Sequence, residues 1–326
     1  MATVVATGPL APPAPALLAG FGELVVASAG EEEALVPLVG DAVALVVRGG
    51  SRVGARVIEA APSLRVIGRS GVGVDEVDVA AATRRGIPVV FTPEAGAQAV
   101  AEGALALTLA LAKRLPALDR AVREGRWSAR DEIPIGDLEG ATLGIVGYGR
   151  IGRRLAALAR PFGMEVVAAD PYARAADIEL VGLAELFGRS AFVSLHAPLT
   201  PETHGLVDAS LLERLPPGAV LVNLARGALV RSLDDLLAAL ESGRLAGVGL
   251  DVFDPEPPDL SHPLFRRRDV LLSPHALGMS ARAKERIFRE VAEGVAAVLR
   301  GERPAAVANP EVYASADRDA GPRRRV

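Results

Sequence analysis

The chain has 326 residues, of which 50% are hydrophobic and only 4% aromatic, and it carries a formal net charge of −4 and no cysteine. The length predicts about two domains, and the aliphatic composition is typical of buried parallel strands covered by helices. The acidic balance argues against a nucleic-acid partner, and the lack of cysteine excludes disulfides, thiolate nucleophiles and metal sites built on cysteine.

Residues 1–95 alternate short apolar runs with stretches of helical pattern. The runs lie at Val4–Ala6, Leu24–Ala27, Ala44–Val47, Arg65–Gly68 and Val89–Phe91, and the helical stretches at 12–20, 31–38, 52–61 and 76–85. Apolar strands that alternate with helices predict a parallel sheet. The N-terminal segment lacks the positive region of a signal peptide and is interrupted by prolines. We therefore expect a cytoplasmic protein without a membrane partner.

Two glycine-rich turns follow predicted strands of this part, at Arg48–Gly50 and Arg69–Asp75. Open α/β sheets bind ligands at the carboxyl ends of their strands. The backbone N–H groups around Gly71, Val72 and Gly73 could therefore hold an anion. An ordinary loop between strand and helix is the alternative, and the sequence leaves both open.

Residues 98–119 predict a long helix that is apolar nearly all round. Such a helix has to be buried on several sides, either within the chain or at a subunit interface. Its most apolar stretch, 103–112, is too short to span a bilayer. The acidic, glycine-punctuated segment 123–140, which contains the only tryptophan, Trp127, predicts a surface connection.

Residues 142–170 predict a strand, a glycine turn, a helix, a second strand and an acid, an order typical of a dinucleotide site. The strand Thr142–Val146 precedes Gly147-Tyr148-Gly149-Arg150-Ile151-Gly152, the helix places Ile151, Leu155, Leu158 and Phe162 on one face and ends at Gly163, and the strand Val166–Ala169 precedes Asp170. Gly147 permits the tight turn, Gly149 lets a pyrophosphate approach the backbone, and Gly152 lets helix and strand pack closely. The helix N-terminus offers free N–H groups to phosphates. Asp170 is placed to accept hydrogen bonds from an adenosine ribose.

The same alternation continues after Asp170. Further strands are predicted at Ala191–Leu195, Ala219–Leu224, Gly247–Leu250 and Val270–Leu272, which makes six in this half, with helices at 181–188, 208–215, 233–242 and 280–300. The six strand ends carry Gly147, Asp170, His196, Arg226, Asp251 and His275. Because the carboxyl ends of parallel strands share one edge, we expect these residues to form one ligand site.

These strand ends carry the groups that hydride transfer between a nicotinamide cofactor and a keto acid requires. A guanidinium such as that of Arg226 forks onto carboxylate or carbonyl oxygens, and a histidine exchanges protons near neutral pH. His275 is the best acid/base candidate. Glu256, which stands between two prolines, fits a carboxylate that orients His275 and favours its charged form. A structural loop histidine and a surface acidic turn are the alternatives. His196 could line the cofactor site, whereas His262 is interpreted as a surface or structural residue.

The motifs resemble those of the D-isomer-specific, NAD-dependent 2-hydroxyacid dehydrogenase family, of the phosphoglycerate dehydrogenase and hydroxypyruvate–glyoxylate reductase type. The resemblance runs from about Val43 to Asn309 and is carried, in order, by VIGRSGVGVDEVDVAAATRRGIPV, TLGIVGYGRIG, VSLHAPLTPETHGLV, LVNLARGALV, LDVFDPEP and VLLSPHALGM. It implies an α/β fold of two Rossmann-like domains, with doubly wound parallel sheets and an interdomain cleft for the substrate. It also implies that the 98–119 helix serves a homodimer interface.

The same resemblance sets the expected domains. They are a discontinuous substrate domain of residues 1–97 plus 286–314, an NAD-binding domain of residues 98–285, and a polar tail of residues 315–326. We expect the tail to be disordered because it is rich in Asp, Gly, Pro and Arg. We also expect the chain to lack the regulatory domain that some phosphoglycerate dehydrogenases carry at the C-terminus.

Residue roles follow from the resemblance. Catalysis falls on Arg226, which binds substrate, on Glu256, which orients the histidine, and on His275, the acid/base. The substrate carboxylate meets the backbone at Gly71, Val72 and Gly73, and Arg48 is added as a cation at a strand end of the same predicted sheet. The NAD contacts fall on Gly147, Tyr148, Gly149, Arg150, Ile151, Gly152, Asp170, His196, Ala197, Pro198, Ala225 and Asp251. No metal is expected.

The cofactor is expected to be NAD, with NADP less favoured. A carboxylate at Asp170 repels a 2′-phosphate, although Arg174 leaves some NADP use open. Two segments depart from the family pattern, namely Thr92–Gly96 and the Ala276-Leu277-Gly278-Met279 that follows His275. Leu277 and Met279 are expected to narrow the pocket, and both departures leave the identity of the acid open.

The sequence leaves two alternative functions open. One retains the enzyme but gives it a phosphorylated acid or an inorganic oxyanion as substrate, with Arg48 and Arg69 as extra cations. The other is an NAD(H)-sensing binding protein or corepressor, because the same fold can host unrelated functions. An intact set of arginine, glutamate and histidine favours the enzyme.

Overall fold

The structure, a computed structural model, describes residues 1–174 and 177–314. It divides into two compact units, Met1–Gly96 with the described residues from Met279 onward, and Ala97–Gly278. The domain limits expected from the sequence stay a prediction, and the expected disordered tail lies outside the described residues. Within those residues, no helix combines the length and apolar character needed to cross a membrane.

The first unit begins with five strands that alternate with short helices. They are β1 (Thr3–Ala6), α1 (Ala14–Leu18), β2 (Glu23–Val26), α2 (Glu32–Leu35), β3 (Ala42–Val47), α3 (Ala55–Glu59), β4 (Val66–Arg69), α4 (Val79–Arg84) and β5 (Val89–Phe91). The strand order is β2-β1-β3-β4-β5, and all neighbours are parallel. Because β3 and β4 are apolar on both faces, they form the buried centre of the sheet. Each predicted strand of this part is present, with limits shifted by at most two residues.

In its described residues, the second unit contains seven strands and six α-helices. They are α5 (Ala97–Ala112), α6 (Leu115–Arg123), β6 (Thr142–Val146), α7 (Arg150–Ala159), β7 (Glu165–Ala169), β8 (Glu179–Leu180), α8 (Leu183–Arg189), β9 (Phe192–Leu195), α9 (Ala209–Leu212), β10 (Ala219–Asn223), α10 (Leu233–Glu241), β11 (Leu245–Leu250) and β12 (Val270–Leu272). The order is β12-β11-β10-β9-β6-β7-β8, with all neighbours parallel. The order reverses between β6 and β9, which is where doubly wound sheets bind ligands. The predicted α/β class with Rossmann-like sheets is confirmed.

The prediction of one helix over 98–119 is wrong. The chain forms α5 and α6 and breaks between them at Arg114, whose φ of 51° is left-handed. Pro116 lies in the first turn of α6. A proline inside a continuous helix would clash with the preceding turn, so a new helix begins there instead.

Two further details differ from the prediction. The second sheet has a seventh strand, β8, which pairs with β7 through Val167 and Ala168. Two residues are too few to show a hydrophobic period, which is why the pattern missed it. Phe162 is 45% exposed because it lies in a 3₁₀ turn after α7, off the buried face of that helix. Gly163 ends this turn in a left-handed conformation, as predicted.

The first unit is completed by α11 (Ala281–Leu299). The Ser280 side chain accepts a hydrogen bond from the backbone N–H of Ala283 and caps the helix start. The apolar face of α11 packs directly on β4, where a Cβ at Gly68 would lie 2.5 Å from Val295. Glycine is therefore required for this close approach of helix and strand.

Candidate active site

The turn after β6 has the local geometry expected of a phosphate-binding turn. Gly147 has a φ of 93°, and a Cβ on it would lie 2.6 Å from the backbone nitrogen of Ala197. A Cβ on Gly152 would overlap the carbonyl oxygen of Gly147. Gly149 caps α7, and a Cβ on it would meet nothing within 4 Å. The first two glycines are needed for packing, and the third leaves space at a helix N-terminus, which fits the pyrophosphate of a dinucleotide.

The Asp170 carboxylate joins this turn to the loop after β7. Its oxygens accept hydrogen bonds from the backbone N–H groups of Tyr148 (2.9 Å), Tyr172 (2.9 Å) and Ala173 (3.1 Å). A carboxylate has about four acceptor sites, so capacity remains for a ribose hydroxyl. Sequence reasoning missed the next contact, in which the buried Tyr148 hydroxyl donates to Asp177 at 2.8 Å. No pattern in the sequence indicated that pair.

His196, after β9, is a neutral histidine. Its Nε2 shares a 2.7 Å hydrogen bond with the Ser194 hydroxyl. Burial lowers the pKa of His196 to about 4. Its Nδ1 is buried and, among the described residues, has no hydrogen-bond partner. Such an orphaned polar atom at the switch point fits a ligand that brings its own polar group. Ser194 was missed, although its spacing of two residues along a strand places both side chains on one face.

Asp251, at the end of β11, is 3% exposed and holds the loop that carries His275. Its carboxylate accepts from the Ser273 hydroxyl (2.6 Å) and from the backbone N–H groups of Ala276 (2.9 Å) and Leu277 (3.2 Å). Its carbonyl oxygen accepts from the His275 N–H at 2.7 Å. The structure thus shows Asp251 organising a loop, while the predicted NAD contact stays a prediction.

His275 and Glu256 form a hydrogen-bonded pair, with 2.9 Å between Nδ1 and Oε2. This bond outweighs partial burial and raises the pKa of His275 above its ordinary value. Burial opposes ionisation of Glu256, but hydrogen bonds from His275 and from the Phe253 N–H outweigh it, so the pKa of Glu256 is lowered. The pair therefore favours a protonated imidazole beside an ionised carboxylate.

Arg226 follows β10 and is half-buried, and its Nη1 donates to the carbonyl of Ala225 at 2.8 Å. The Asn223 side chain donates to the Arg226 carbonyl at 2.8 Å and shapes this turn. The positive charge of Arg226 acts on the pKa of both His275 and Glu256. The second unit thus brings the three predicted catalytic residues within electrostatic reach of one another.

An apolar cavity of about 390 Å³ adjoins this pair. Glu256 and His275 lie in its wall, together with the side chains of Phe253, Leu260 and Phe265. Apolar walls with a few polar groups are typical of small-molecule sites.

The first unit contains two arginines that were predicted as cations, Arg48 and Arg69, and the loop of Gly71, Val72 and Gly73 that was predicted to meet the substrate carboxylate. Arg69 is 4% exposed and makes a two-pronged ion pair with Glu76, at 3.2 and 3.1 Å. Glu76 therefore offsets the charge of Arg69, and the expected role of Arg69 as an extra cation stays a prediction. The Arg48 guanidinium lies 5.4 Å from the Phe288 ring centroid. Gly71, with a φ of 157°, packs against Arg69, so Glu76 and Arg69 brace the loop of Gly71, Val72 and Gly73.

Comparison with known proteins decides the family. The model of the D-isomer specific 2-hydroxyacid dehydrogenase NAD binding domain matches residues 105–276. The chain belongs to the D-isomer specific 2-hydroxyacid dehydrogenase family. This family member is 42% identical over 297 residues to a D-3-phosphoglycerate dehydrogenase of Mycobacterium bovis, an alignment that covers 89% of this chain. It is 41% identical over 268 residues to a glyoxylate reductase of Korarchaeum cryptofilum, covering 80% of each chain.

The family member spans about half the length of the phosphoglycerate dehydrogenases it matches, covering 56% of the Mycobacterium bovis protein. Among solved structures, the TT0316 protein of Thermus thermophilus superposes with a TM-score of 0.88 at 37% identity, covering 94% of this chain and 100% of that one. A D-lactate dehydrogenase of Aquifex aeolicus in complex with NAD and lactic acid superposes with a TM-score of 0.83 at 27% identity, covering 92% and 96%. An NADPH-dependent glyoxylate/hydroxypyruvate reductase of Sinorhizobium meliloti, in complex with NADP and malonate, gives 0.85 at 28%, covering 94% and 96%. The family resemblance of the motifs is confirmed, and the roles of individual residues stay predictions.

Proposed function

We propose that this chain is an NAD(H)-dependent D-2-hydroxyacid dehydrogenase that interconverts a small 2-keto acid and the D-2-hydroxy acid. The observation that carries the proposal is the His275–Glu256 hydrogen bond with Arg226 in electrostatic reach, in the same unit as the glycine turn. When bound, the nicotinamide cofactor supplies the hydride for reduction and takes it up in oxidation.

The three side chains divide the remaining work. Arg226 binds the substrate carboxylate and polarises its carbonyl, since a guanidinium matches both groups. Because Nδ1 of His275 is bonded to Glu256, Nε2 is the atom that gives a proton to the carbonyl oxygen. In the oxidation direction, Nε2 accepts that proton. Glu256 fixes the ring and stabilises its charged form.

The test is a spectrophotometric scan of NADH oxidation with glyoxylate, hydroxypyruvate, pyruvate and bulkier 2-keto acids. We expect turnover with at least one of them and formation of the D-hydroxy acid. Bulkier acids are included because the segment that follows His275 departs from the family pattern and leaves the identity of the acid open. No turnover across the panel, with NADH still bound, would assign the chain to the NAD(H)-sensing alternative.

We propose NAD as the physiological cofactor because the Asp170 carboxylate lies at the end of β7 and would repel a 2′-phosphate. Relatives of both kinds are known, since similar structures contain NAD or NADP. Replacing Asp170 with Ser should lower the NADH/NADPH ratio of kcat/KM. Asp208→Ser, which removes a carboxylate that caps α9, is the control. Equal kcat/KM for NADH and NADPH in the unaltered enzyme would count against the assignment.

We propose an unphosphorylated acid as the preferred substrate, because Glu76 neutralises Arg69 in the first unit. Arg48 is then the cation to test there. We expect kcat/KM for hydroxypyruvate to exceed that for its 3-phosphate, and Arg48→Ala to affect the two by a similar factor. A preference for the phosphorylated acid that Arg48→Ala abolishes would reverse this choice.

We also propose that the chain forms a homodimer through α5, α6 and the segment that follows. Most apolar side chains of α5 are buried inside their own unit, so they do not require a partner. Several large apolar side chains beyond it are exposed, namely Leu115, Val122, Trp127 and Ile135. Light scattering after gel filtration should give twice the chain mass. Replacement of Val122 and Trp127 by Asp should give the monomer mass.

A further inference from the structure

The loop that carries His275 has an unfavourable backbone. His275 has a φ of 52°, in the left-handed region that side chains other than glycine rarely adopt. This conformation is unfavourable for a residue with a Cβ, because the Cβ approaches the following carbonyl oxygen. The surrounding structure must therefore hold the loop, and its contacts show how.

One side of the loop is held by Asp251, through the hydrogen bonds to Ser273, His275, Ala276 and Leu277 described above. These bonds fix the loop backbone, as far as Leu277, on the end of β11. The Leu277 side chain and Gly278 are held in addition by packing.

The end of the loop, at Leu277 and Gly278, packs against α5. A Cβ built on Gly103 would lie 2.7 Å from the Cβ of Leu277 and 3.2 Å from the Leu224 side chain. A Cβ is tied to the backbone and cannot turn away, so only glycine allows Leu277 to sit this close. The contact is reciprocal, since a Cβ on Gly278 would lie 2.8 Å from Val100 of α5. Helix and loop each contribute one glycine and one apolar side chain.

The surface of α5 that contacts Leu277 and Gly278 is rigid, because α5 is itself part of the hydrophobic core. Leu277 and Val100 pack against the buried cluster that contains Ala104, Leu107 and Leu224. The Leu277 side chain packs against α5 and the end of β10, and the expected narrowing of the substrate pocket by Leu277 stays a prediction. Leu277 stands two residues from His275, so its displacement moves the imidazole.

We infer that Gly103 and Leu277 are positioning residues. Their close packing, here called the interlock, fixes the position of the His275 imidazole relative to Glu256. The inference rests on the proposed function, in which His275 is the acid/base. The two residues act through the loop and touch neither substrate nor cofactor in this assignment.

Gly103→Ala tests the interlock by pushing Leu277 outward. We expect kcat for keto-acid reduction to fall about ten- to a hundredfold, because a displacement of about 1 Å in a catalytic group has that effect. NADH affinity should stay unchanged. The His275 ring, followed by NMR among only four histidines, should titrate at lower pH than in the unaltered protein, because the bond to Glu256 is weakened. Gly182→Ala is the matched control, since a Cβ there meets nothing within 4 Å.

Two further variants separate positioning from folding. Gly103→Ala with Leu277→Gly places a Cβ on the helix in the space that the Cβ of Leu277 leaves. This removes the overlap, so kcat should recover from the level of Gly103→Ala to about that of Leu277→Ala. Leu277→Ala alone removes the seated side chain and should lower kcat about threefold to tenfold and shift the His275 titration in the same direction. If Gly103→Ala does not fold, Leu277→Ala and the exchanged pair decide.

An unchanged kcat and an unchanged His275 titration in Gly103→Ala or in Leu277→Ala would overturn the inference. Lower stability with normal kcat per folded molecule would also overturn it, because the pair would then act on folding alone. If the unaltered protein reduces no 2-keto acid, the proposed function fails by itself. The NMR titration of His275 still tests the interlock in that case.

Discussion

His275 and His196 follow strands of one parallel sheet, yet their surroundings give them opposite protonation. Glu256 bonds to His275 and raises its pKa, so the ring favours the charged form. Among the described residues, the His196 ring has a hydrogen bond only with the Ser194 hydroxyl, and burial lowers its pKa to about 4. The two strand ends therefore differ in what the neighbouring loop supplies, a carboxylate in one case and none in the other.

The difference indicates which histidine is suited to the proposed proton exchange. A general acid must hold a proton near neutral pH, and of the two rings His275 is the one whose pKa is raised. A neutral, buried histidine can offer a fixed hydrogen bond but no proton at that pH. Residue type and position at a strand end are shared, so neither explains the difference in pKa between the two rings.

The largest expected effect comes from removing the proton donor. His275→Gln should lower kcat for keto-acid reduction about a thousandfold or more, while NADH still binds with unchanged affinity. Stopped-flow absorbance and NADH fluorescence measure the two quantities. His262→Gln is the control, because that ring is bonded to Asp234 and to the Leu264 N–H in a separate loop. Equal losses of kcat in His275→Gln and His262→Gln would contradict the role of His275 as the proton donor.

Arg226 comes next. Arg226→Lys keeps the charge but loses the forked geometry, so kcat/KM for the keto acid should fall about a hundredfold, as expected for one or two charge-assisted hydrogen bonds. Most of the loss should appear in KM. Arg231→Lys, at an exposed arginine 3.6 Å from Asp208, is the matched control. A normal KM in Arg226→Lys would contradict substrate binding by this residue.

Glu256→Gln tests the cause of the contrast directly. It removes the group that raises the pKa of His275, so the ring loses its proton at lower pH. Reduction requires the protonated ring, and its rate falls as pH rises through that pKa. The falling limb of the pH–rate profile should therefore move to lower pH, with kcat at neutral pH reduced roughly tenfold. Oxidation should gain at lower pH for the same reason.

Asp259→Asn is the control for Glu256→Gln. Asp259 accepts from the Ser261 N–H and makes no bond to His275. Its loss should leave the profile in place. An unshifted profile in Glu256→Gln as well would show that another group sets the ionisation of His275.

The smallest effect concerns stability. The folded pKa of His196 lies near 4, below its ordinary 6.5, so unfolding takes up a proton between these values. The free energy of unfolding has its full value above about pH 6.5 and falls as the pH approaches 4. The loss is roughly 2 kcal/mol at pH 5. His275 has the opposite sign, because its raised pKa contributes stability at low pH that is lost as pH rises. Urea unfolding at pH 5 and pH 7.5 should show that His196→Gln lacks the acid-side loss. An equal loss of unfolding free energy at pH 5 in the unaltered protein and in His196→Gln would show that another group causes the loss.

Much of the fold could be predicted from local pattern. Strands β3, β6 and β10 are continuous apolar runs, and the glycine spacing from Gly147 to Gly152 marks the strand-to-helix turn. The exceptions share one cause. The break at Arg114 and the two-residue strand β8 depend on single residues or on a neighbouring strand, and neither leaves a periodic signal.

The candidate site shows the same division. The sequence by itself determined the α/β class and the order of the strand ends, because hydrophobic period is a local property. Through residue chemistry and the family resemblance it also named Arg226, Glu256 and His275 as candidates. Only the tertiary structure decided the rest. It bonded Glu256 to His275, left His196 neutral, neutralised Arg69 with Glu76, and seated Leu277 on Gly103. Burial and charge pairing arise between residues distant in the chain, so no stretch of sequence contains them.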